Sequence, residues 1–300
     1  MRALVALLPF TAAAVLTAAG CEARRRSATG AAAGASAGTM AVPASAAASA
    51  SAAAFGSASA PQSAAPSARP ALASPEPLVG LAVAGHHDAV VSLPLGATTR
   101  RPVVIAAHGN YDTPESQCGV WRALVHDRAF VLCPRGIART DSPSDDDTRW
   151  TYADSAAFTK ELDASLEALR ARYAEYVDAG PMVYTGFSLG AILGVPYLMR
   201  DPARFPRVVL VEGGHDAWTA ERARAFGAKG GQRVLFACGQ PGCVIDARGP
   251  SSRLLRANVS SKTVHGAGVG HGYFGAVASE VGKQIDWLLE GDPRWTEITP

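Results

Sequence analysis

The sequence predicts an α/β fold in which a mostly parallel central sheet of about eight strands carries helices on both faces. Short, near-continuous apolar runs alternate with longer stretches in which apolar residues recur every three or four positions. The runs are typical of strands buried on both faces of a parallel sheet, and the stretches are typical of helices packed on such a sheet. The folded part is expected to begin only near residue 77, because the first quarter of the chain has another composition.

Residues 1–21 have the composition of a bacterial export signal. One Arg precedes an apolar run, and small residues then lead to Cys21 in "LTAAGC". This stretch resembles the lipobox of bacterial lipoproteins, although Ala18 stands where Leu is most common. The resemblance implies a lipid on Cys21 that anchors the protein in the cell envelope, on the periplasmic or surface side. A plain cleaved signal, which would give a secreted protein, and a retained anchor are the alternatives.

Residues 22–76 consist almost entirely of Ala, Ser, Gly and Pro. They lack the large apolar side chains whose burial would offset the entropy of ordering, so they predict a disordered tether. Arginines 24–26 would lie beside the anchor, where they could attract anionic lipid or simply be solvated. Residues 77–300 remain for one folded domain.

Charge and cysteine content narrow the class of protein further. The chain has a formal net charge of +2, and no basic stripe indicates nucleic-acid binding. An even number of cysteines in an exported domain predicts two disulfides, and the pairing closest in sequence is preferred among three possible pairings. That pairing joins Cys118 to Cys133 and Cys238 to Cys243. A four-Cys zinc site is disfavoured because neither pair has C-x-x-C spacing, and we expect no metal or other cofactor.

Eight segments of the folded part predict the strands, and the first two read as an antiparallel hairpin at one edge. In chain order the segments are 78–85, 88–96, 102–108, 129–134, 182–186, 207–212, 233–239 and 262–266. A helix is predicted over 154–177 by Phe158, Leu162, Leu166, Leu169 and Tyr173, with Asp154 or Ser155 as its N-cap. A closing helix is predicted over 273–291, where Gly291 would end it.

Three of the predicted strands end in residues that suggest catalysis. Ligands of parallel sheets gather at the carboxyl ends of the strands. The third strand leads to "HGN" at 108–110, the fifth leads to "GFSLG" at 186–190, and the last leads to "GAGVGHGYF" at 266–274. A serine hydroxyl needs a base to take its proton, and His271 in the last of these loops is the best placed histidine for Ser188. His265, at the end of the last strand, is the alternative.

Over most of residues 77–291 the chain resembles the α/β-hydrolase superfamily, and it looks closest to single-domain esterases, dienelactone hydrolases and polyhydroxyalkanoate-depolymerase-like members. The resemblance implies an α/β-hydrolase fold in which Ser188 is the nucleophile, on a sharp turn between a strand and a helix. Gly186 and Gly190 would then be small because the strand and the helix approach closely. The backbone N–H groups of Leu189 and Asn110 would form the oxyanion hole, and His108 would hold its loop.

The acid of the triad is where the chain departs from the family pattern. Most members carry an Asp a few residues beyond the penultimate strand, in a G-x-x-D arrangement, and Gly242 stands at that register here. Glu212, at the end of the strand 207–212, is the preferred candidate. Asp246 and Asp216 are alternatives, and a dyad without an acid remains open.

These observations predict a serine hydrolase that acts on a small-molecule or polymeric carboxylic ester through an acyl-enzyme on Ser188. A peptidase or amidase on the same scaffold is one alternative, since the machinery does not distinguish leaving groups. A non-catalytic cell-envelope lipoprotein that binds a ligand is another. Trp150 and Tyr152, in the distinctive loop 140–154, are expected to pack on the substrate, with Trp121 and Trp218 as alternatives.

Overall fold

The computed structural model describes residues 69–295 of the chain. The export signal with Cys21 and the tether up to residue 68 lie outside the described residues. Residues 70–76, which the sequence assigns to the tether, are in part packed. Leu72 is buried, its N–H donates to the carbonyl of Ala97 at 2.9 Å, and its carbonyl accepts from Gly96 at 2.8 Å. Ordered chain therefore precedes residue 77.

The core of the domain is an eight-stranded sheet that contains all eight predicted strands. Their spatial order is β1-β2-β4-β3-β7-β8-β9-β10, with β2 antiparallel to both of its neighbours and all other pairs parallel. The strands are β1 (Leu78–Leu81), β2 (Ala89–Ser92), β3 (Val103–Ala107), β4 (Phe130–Cys133), β7 (Val183–Phe187), β8 (Arg207–Val211), β9 (Arg233–Cys238) and β10 (Ser260–His265). A separate small hairpin, β5 (Ile137–Ala138) with β6 (Trp150–Thr151), was not predicted.

The described part of the chain has seven α-helices, of which five connect strands and two follow β10. They are α1 (Pro114–Val125), α2 (Ser155–Arg172), α3 (Leu189–Leu198), α4 (Ala220–Ala228), α5 (Pro241–Arg256), α6 (Ala276–Gly282) and α7 (Ile285–Leu289). Asp154 is the N-cap of α2, since its carboxylate accepts from two backbone N–H groups at 2.8 Å. Between residues 69 and 295 no helix combines the length and the apolar character that crossing a membrane requires.

Both predicted helices differ from the observed ones at their ends. The helix α2 ends at Arg172, and the residues that follow turn back so that Val177 forms a bridge with Arg101. The single closing helix is divided into α6 and α7. Gln284 donates to Val281 at 2.8 Å, three residues back, and this tighter bond interrupts the regular helical pattern.

Alternate residues of each strand point to opposite faces of the sheet, and helices cover both faces. Ile105 belongs to the apolar cluster that includes Leu162 of α2, and its neighbour Val104 belongs to the cluster that includes Trp121 of α1. The two disulfides join the pairs that the sequence favours, Cys118 to Cys133 and Cys238 to Cys243. The first links α1 to β4, and the second links the end of β9 to the first turn of α5.

Candidate active site

Ser188 occupies a sharp turn between β7 and α3. Its φ of 48° and ψ of −112° lie in a region that non-glycine residues seldom adopt, and such strain costs about 1–3 kcal/mol. Two backbone hydrogen bonds hold this conformation: Ser188 N–H donates to Val211 at 2.9 Å, and Ile192 N–H donates to the Ser188 carbonyl at 3.0 Å. The turn places the serine at the carboxyl edge of the sheet, at the start of a helix.

The two glycines that flank Ser188 are needed because backbone segments meet there. A Cβ on Gly186 would lie 2.6 Å from the Gly190 carbonyl, and a Cβ on Gly190 would lie 2.5 Å from the Ala107 carbonyl oxygen. Contacts this short do not occur between real Cβ atoms and backbone, so either side chain would force β7, α3 and β3 apart. This is the reason for small residues that the sequence predicts.

His271 lies beside Ser188, and its Nε2 atom is 2.9 Å from Ser188 Oγ. The loop after β10 brings it there across the end of the sheet. His265, the alternative, is the last residue of β10 and is exposed. Of the two candidates, the structure therefore joins only His271 to the serine.

Glu212 lies on the other side of His271, with its Oε2 atom 3.0 Å from His271 Nδ1. Its side chain is 1% exposed, and its Oε1 atom accepts from the N–H groups of Gly239 at 2.5 Å and Gln240 at 2.9 Å. These donors satisfy a carboxylate that is removed from water. Of the three acid candidates, only Glu212 is bonded to the histidine.

The other two candidates lie elsewhere. Asp246 is exposed on α5, and its nearest basic partner is His215 at 3.6 Å. Asp216 is exposed in the short 3-10 turn His215–Ala217. Neither carboxylate is hydrogen-bonded to His271 in the described part of the chain.

The hydrogen-bond pattern assigns the tautomer of His271. An ionised Glu212 can only accept hydrogen bonds, so Nδ1 must carry the proton that lies between the two side chains. Nε2 of the neutral ring is then an acceptor and faces the hydroxyl of Ser188. This is the arrangement that general-base activation of a serine requires.

The two N–H groups expected to form an oxyanion hole belong to Leu189 and Asn110, which lie just beyond the carboxyl ends of the neighbouring strands β7 and β3. Leu189 begins α3, where the helix dipole favours negative charge. Asn110 lies in the loop after β3, the strand next to β7. Within residues 69–295 neither N–H donates to another protein group. The Asn110 side chain is held from the side, since its Oδ1 accepts from Arg139 Nη1 at 2.7 Å.

His108 is fully buried and lies beneath the Asn110 loop. Its ring nitrogens lie 2.7 Å from the carbonyl oxygen of Gly109 and 2.8 Å from that of Arg135, and the ring stacks on Tyr152. Its own carbonyl accepts from Gly190 N–H at 3.1 Å. These contacts tie the Asn110 loop to the serine turn, a supporting position of the kind that the resemblance implies.

The indole and phenol groups expected to pack on a substrate do not line the cavity beside the triad. Trp121, Trp218 and Tyr152 are buried in the core, and Trp150 packs against His87 and Arg135. Packing in the core and at the small β5–β6 hairpin therefore accounts for these four aromatic side chains.

A cavity of about 590 Å³ adjoins His271 and Asn110. Its aromatic lining comes from residues that the sequence analysis did not single out, namely Tyr111, Phe187, Tyr273 and Phe274. Each lies within three positions of Asn110, Ser188 or His271 in the sequence, and this proximity could have identified them. Ring contacts run from His271 through Phe187 and Tyr273 to Phe274, with centroid distances of 5.1, 4.7 and 5.8 Å.

The Tyr273 hydroxyl is a polar group in this aromatic wall and donates to Asp112 Oδ1 at 3.1 Å. Burial raises the pKa of Tyr273 well above its ordinary value, and the charge of Asp112 and this hydrogen bond raise the pKa further. The phenol therefore stays protonated and keeps Asp112 in place. Asp112 in turn accepts from Gly109 N–H at 3.4 Å, next to Asn110.

A carboxylate oxygen of Glu212 lies within 4.8 Å of the sulfurs of Cys238 and Cys243. Acid and thiolate groups at such distances can hold a metal ion. Here the two sulfurs are bonded to each other in a disulfide, so they are not available as thiolate ligands.

Comparison with known proteins shows similarity at the level of structure. No family model matches the sequence, and no curated protein matches it. The crystal structure of TT1662 from Thermus thermophilus has a TM-score of 0.50 at 17% identity, over 71% of this chain and 98% of that chain. Est1E from Butyrivibrio proteoclasticus has a TM-score of 0.50 at 12% identity, over 72% of this chain and 98% of its own.

An uncharacterized protein from Bacillus cereus also has a TM-score of 0.50, at 14% identity over 64% of this chain and 60% of that chain. Identities this low concern the fold alone. Together with the eight-stranded, mostly parallel sheet and the helices on both of its faces, they show that the chain has the α/β-hydrolase fold.

Proposed function

We propose that the protein is a serine hydrolase that cleaves carboxylic esters through an acyl-enzyme on Ser188. The observation that carries this proposal is the continuous hydrogen-bonded series from Ser188 Oγ to His271, at 2.9 Å, and from His271 to Glu212, at 3.0 Å. A nucleophile, a base and a group that orients the base are the three parts that activation of a serine needs.

In the proposed reaction Ser188 Oγ attacks the acyl carbon while His271 Nε2 takes the hydroxyl proton. Glu212 stabilises the resulting imidazolium, and the N–H groups of Leu189 and Asn110 donate to the oxyanion. His271 then gives the proton to the leaving alkoxide, and the acyl group remains on Ser188. In the second half His271 takes a proton from a water molecule, whose oxygen attacks the acyl carbon. The bond from the acyl carbon to Ser188 Oγ breaks, His271 returns the proton to Oγ, and the acid is released.

The cavity beside His271 supports an ester with an apolar or aromatic group. Tyr111 and Phe274 are 42% and 58% exposed, so their rings are accessible to a bound substrate. Phe187 and Tyr273 are nearly buried and form a rigid wall behind them. Burial of such rings by a substrate is favourable by about 25 cal/mol per Å² of apolar surface.

Two other functions were open from the sequence. A binding lipoprotein without activity drew its main support from the missing acid at the usual register, and the bond from His271 to Glu212 weakens that support. A peptidase or amidase would use the same groups, so only the choice of substrate separates it from an esterase.

The proposal keeps the lipid anchor on Cys21 and the tether as the means of holding the enzyme at a membrane. Two or more acyl chains hold a protein stably, whereas one chain binds only marginally. We expect the full-length protein in membrane fractions and the Cys21→Ala variant in soluble fractions. A parent protein found only in soluble fractions would contradict the anchor while leaving the proposed catalysis intact.

The enzymatic proposal is tested with p-nitrophenyl esters and with p-nitroanilides of the same acids. We expect the parent protein to hydrolyse short p-nitrophenyl esters and Ser188→Ala to lose about 10⁴-fold or more in kcat. Ser252→Ala is the matched control, since Ser252 is exposed on α5 and bonds only to the Arg248 carbonyl. Faster cleavage of the anilides would favour the amidase, and equal activity of parent and Ser188→Ala would contradict both.

A further inference from the structure

The carboxylate of Glu212 depends on two donors from one short segment. Oε2 of Glu212 is bonded to His271, and Oε1 accepts from the N–H groups of Gly239 and Gln240, at 2.5 and 2.9 Å. Because the side chain is 1% exposed, water does not replace a donor that moves away. The position of the carboxylate, and with it the orientation of His271, therefore depends on the positions of Gly239 and Gln240.

These two donors lie inside the loop that the second disulfide closes. Cys238 is the last residue of β9, Cys243 lies in the first turn of α5, and their Cα atoms are 5.6 Å apart. Both sulfurs lie within 4.8 Å of a Glu212 carboxylate oxygen. The cross-link therefore restrains the backbone from which Glu212 receives its hydrogen bonds.

The same loop also supports the segment that carries His271. Gly239 has no room for a side chain, since a Cβ there would collide with the carbonyl of Gly270, the residue before His271. The Gly239 backbone thus lies against the carboxylate of Glu212 and against the residue that precedes His271. A small shift of this loop would move the acid and the base together relative to Ser188.

The start of α5, like the starts of α3, α6 and α7, has no side-chain cap. Side chains of Thr113, Asp154 and Thr219 accept hydrogen bonds at the N-termini of α1, α2 and α4. Gln240, the N-cap of α5, makes no such bond. Cys243 lies in the first turn of α5, so the disulfide links the start of this helix to β9.

We propose that the Cys238–Cys243 disulfide is a positioning element for the reaction: it holds the Gly239 and Gln240 N–H groups against Glu212, so that His271 is oriented for Ser188. The inference rests on the proposed function of the triad. In most members of the family that the chain resembles, the segment after the penultimate strand carries the acid. Here that segment supplies the N–H groups of Gly239 and Gln240 to Glu212, which follows the neighbouring strand β8. Full activity then requires that this disulfide has formed, a condition that an exported protein meets.

The Cys118–Cys133 disulfide provides a matched control. It links α1 to β4 in the core, and none of the hydrogen bonds of the triad involves residues within its span. It closes a longer loop, with a sequence separation of 15 against 5, so its removal is expected to lower stability more. A merely stabilising role for both disulfides predicts the larger loss of activity in this control.

The test compares Cys238→Ala/Cys243→Ala with Cys118→Ala/Cys133→Ala in the full-length protein, by kcat and KM for a p-nitrophenyl ester and by thermal unfolding. We expect the first pair to lower kcat by about 10- to 100-fold, since displacement of a catalytic group by about 1 Å has this effect. KM should change by less than about 2-fold. The control should lose more thermal stability and less kcat. The reverse order of the kcat losses would overturn the proposal.

A double-mutant cycle separates positioning from general loosening of the fold. If the disulfide acts through Glu212, its removal in a Glu212→Gln background should lower the residual kcat by less than about 2-fold. A further 10-fold loss in that background would mean that the disulfide acts elsewhere, and would overturn the proposal.

A chemical experiment covers the case in which the Cys238→Ala/Cys243→Ala variant does not fold. In folded Cys118→Ala/Cys133→Ala protein, tris(2-carboxyethyl)phosphine breaks the remaining Sγ–Sγ bond. The sulfurs gain two electrons and two protons, and the phosphine takes oxygen from water to become its oxide. We expect kcat to fall in parallel with the appearance of two thiols and to return on reoxidation. Unchanged kcat in fully reduced, folded protein would overturn the proposal.

The failure of this inference is distinguishable from failure of the proposed function. If the parent protein neither hydrolyses esters nor reacts with a fluorophosphonate, both fall. If the parent is active and the disulfide comparisons give the contrary results, only the positioning role falls.

Discussion

Replacement of Glu212 by Gln tests the orientation of His271, the proposed base, with almost no change in side-chain shape. The parent carboxylate accepts on both oxygens, from Gly239 and Gln240 on one side and from His271 on the other. An amide has only one acceptor oxygen. If that oxygen faced His271, the amide NH₂ would face two buried N–H donors, and each unsatisfied group costs about 1–3 kcal/mol.

We therefore expect the amide oxygen to face Gly239 and Gln240, so that the NH₂ group faces His271 Nδ1. Nδ1 must then accept, and the proton moves to Nε2, which can no longer take the proton of Ser188. In a serine protease triad the corresponding change of acid to amide lowers kcat by about 10⁴-fold. At about 1.36 kcal/mol per factor of ten, the loss of transition-state stabilisation is about 5.4 kcal/mol.

The assay is kcat for a p-nitrophenyl ester, with thermal unfolding as the check that Glu212→Gln is folded. Asp246→Asn and Asp216→Asn are matched controls, because they make the same change at the two acids that the structure leaves unbonded to His271. Both controls should keep the activity of the parent. The reasoning is refuted if Glu212→Gln stays within about 10-fold of the parent, or if Asp246→Asn shows the larger loss.

Three further predictions concern packing, substrate and pH. Gly190→Ala should lower the free energy of unfolding by about 1–3 kcal/mol, since its Cβ would lie 2.5 Å from a backbone oxygen. Gly119→Ala has open space around its Cβ and should raise the free energy of unfolding by about 0.5–1 kcal/mol. Urea denaturation measures both changes. Phe274→Ala should lower kcat/KM for esters with long or aromatic acyl groups by about 10-fold and leave acetate esters unchanged, as measured with a series that shares one leaving group. Burial raises the pKa of Asp292, but the hydrogen bond and charge of Arg294 and the charge of Arg207 outweigh burial, so the net pKa lies below the ordinary 3.8. Its stabilisation is present above the unfolded-state pKa and is lost as the pH falls through the folded-state pKa; Asp292→Asn should therefore be less stable than the parent in urea at neutral pH, with a difference that disappears in acid.

The strands and the sharp turn at Ser188 were the most predictable features because each leaves a local pattern. Buried parallel strands need continuous apolar runs, and the strand-to-helix turn at Ser188 needs small residues on both sides, so Gly186 and Gly190 mark the turn. His271 was also accessible to reasoning, because glycines in a loop after the last strand indicate a backbone that can swing a side chain over the sheet edge.

The details that depend on tertiary contacts were less predictable. No local pattern separates Glu212 from Asp246, since the choice depends on which carboxylate meets His271 and on two donors from the loop after β9. Trp150 and Tyr152 do not line the cavity beside the triad, because an aromatic residue in a polar loop can equally pack on other protein groups: Tyr152 packs in the core, and Trp150 packs on His87 and Arg135. The break between α6 and α7 depends on a single tight turn at Gln284 that apolar periodicity does not reveal.

The most direct test of the account locates the nucleophile. The full-length protein is treated with a fluorophosphonate, digested, and mapped by peptide mass spectrometry. We predict one adduct, on Ser188, that forms in the parent protein, is absent from Ser188→Ala, and forms much more slowly in Glu212→Gln. No adduct in folded parent protein, or an adduct on another residue, would contradict it.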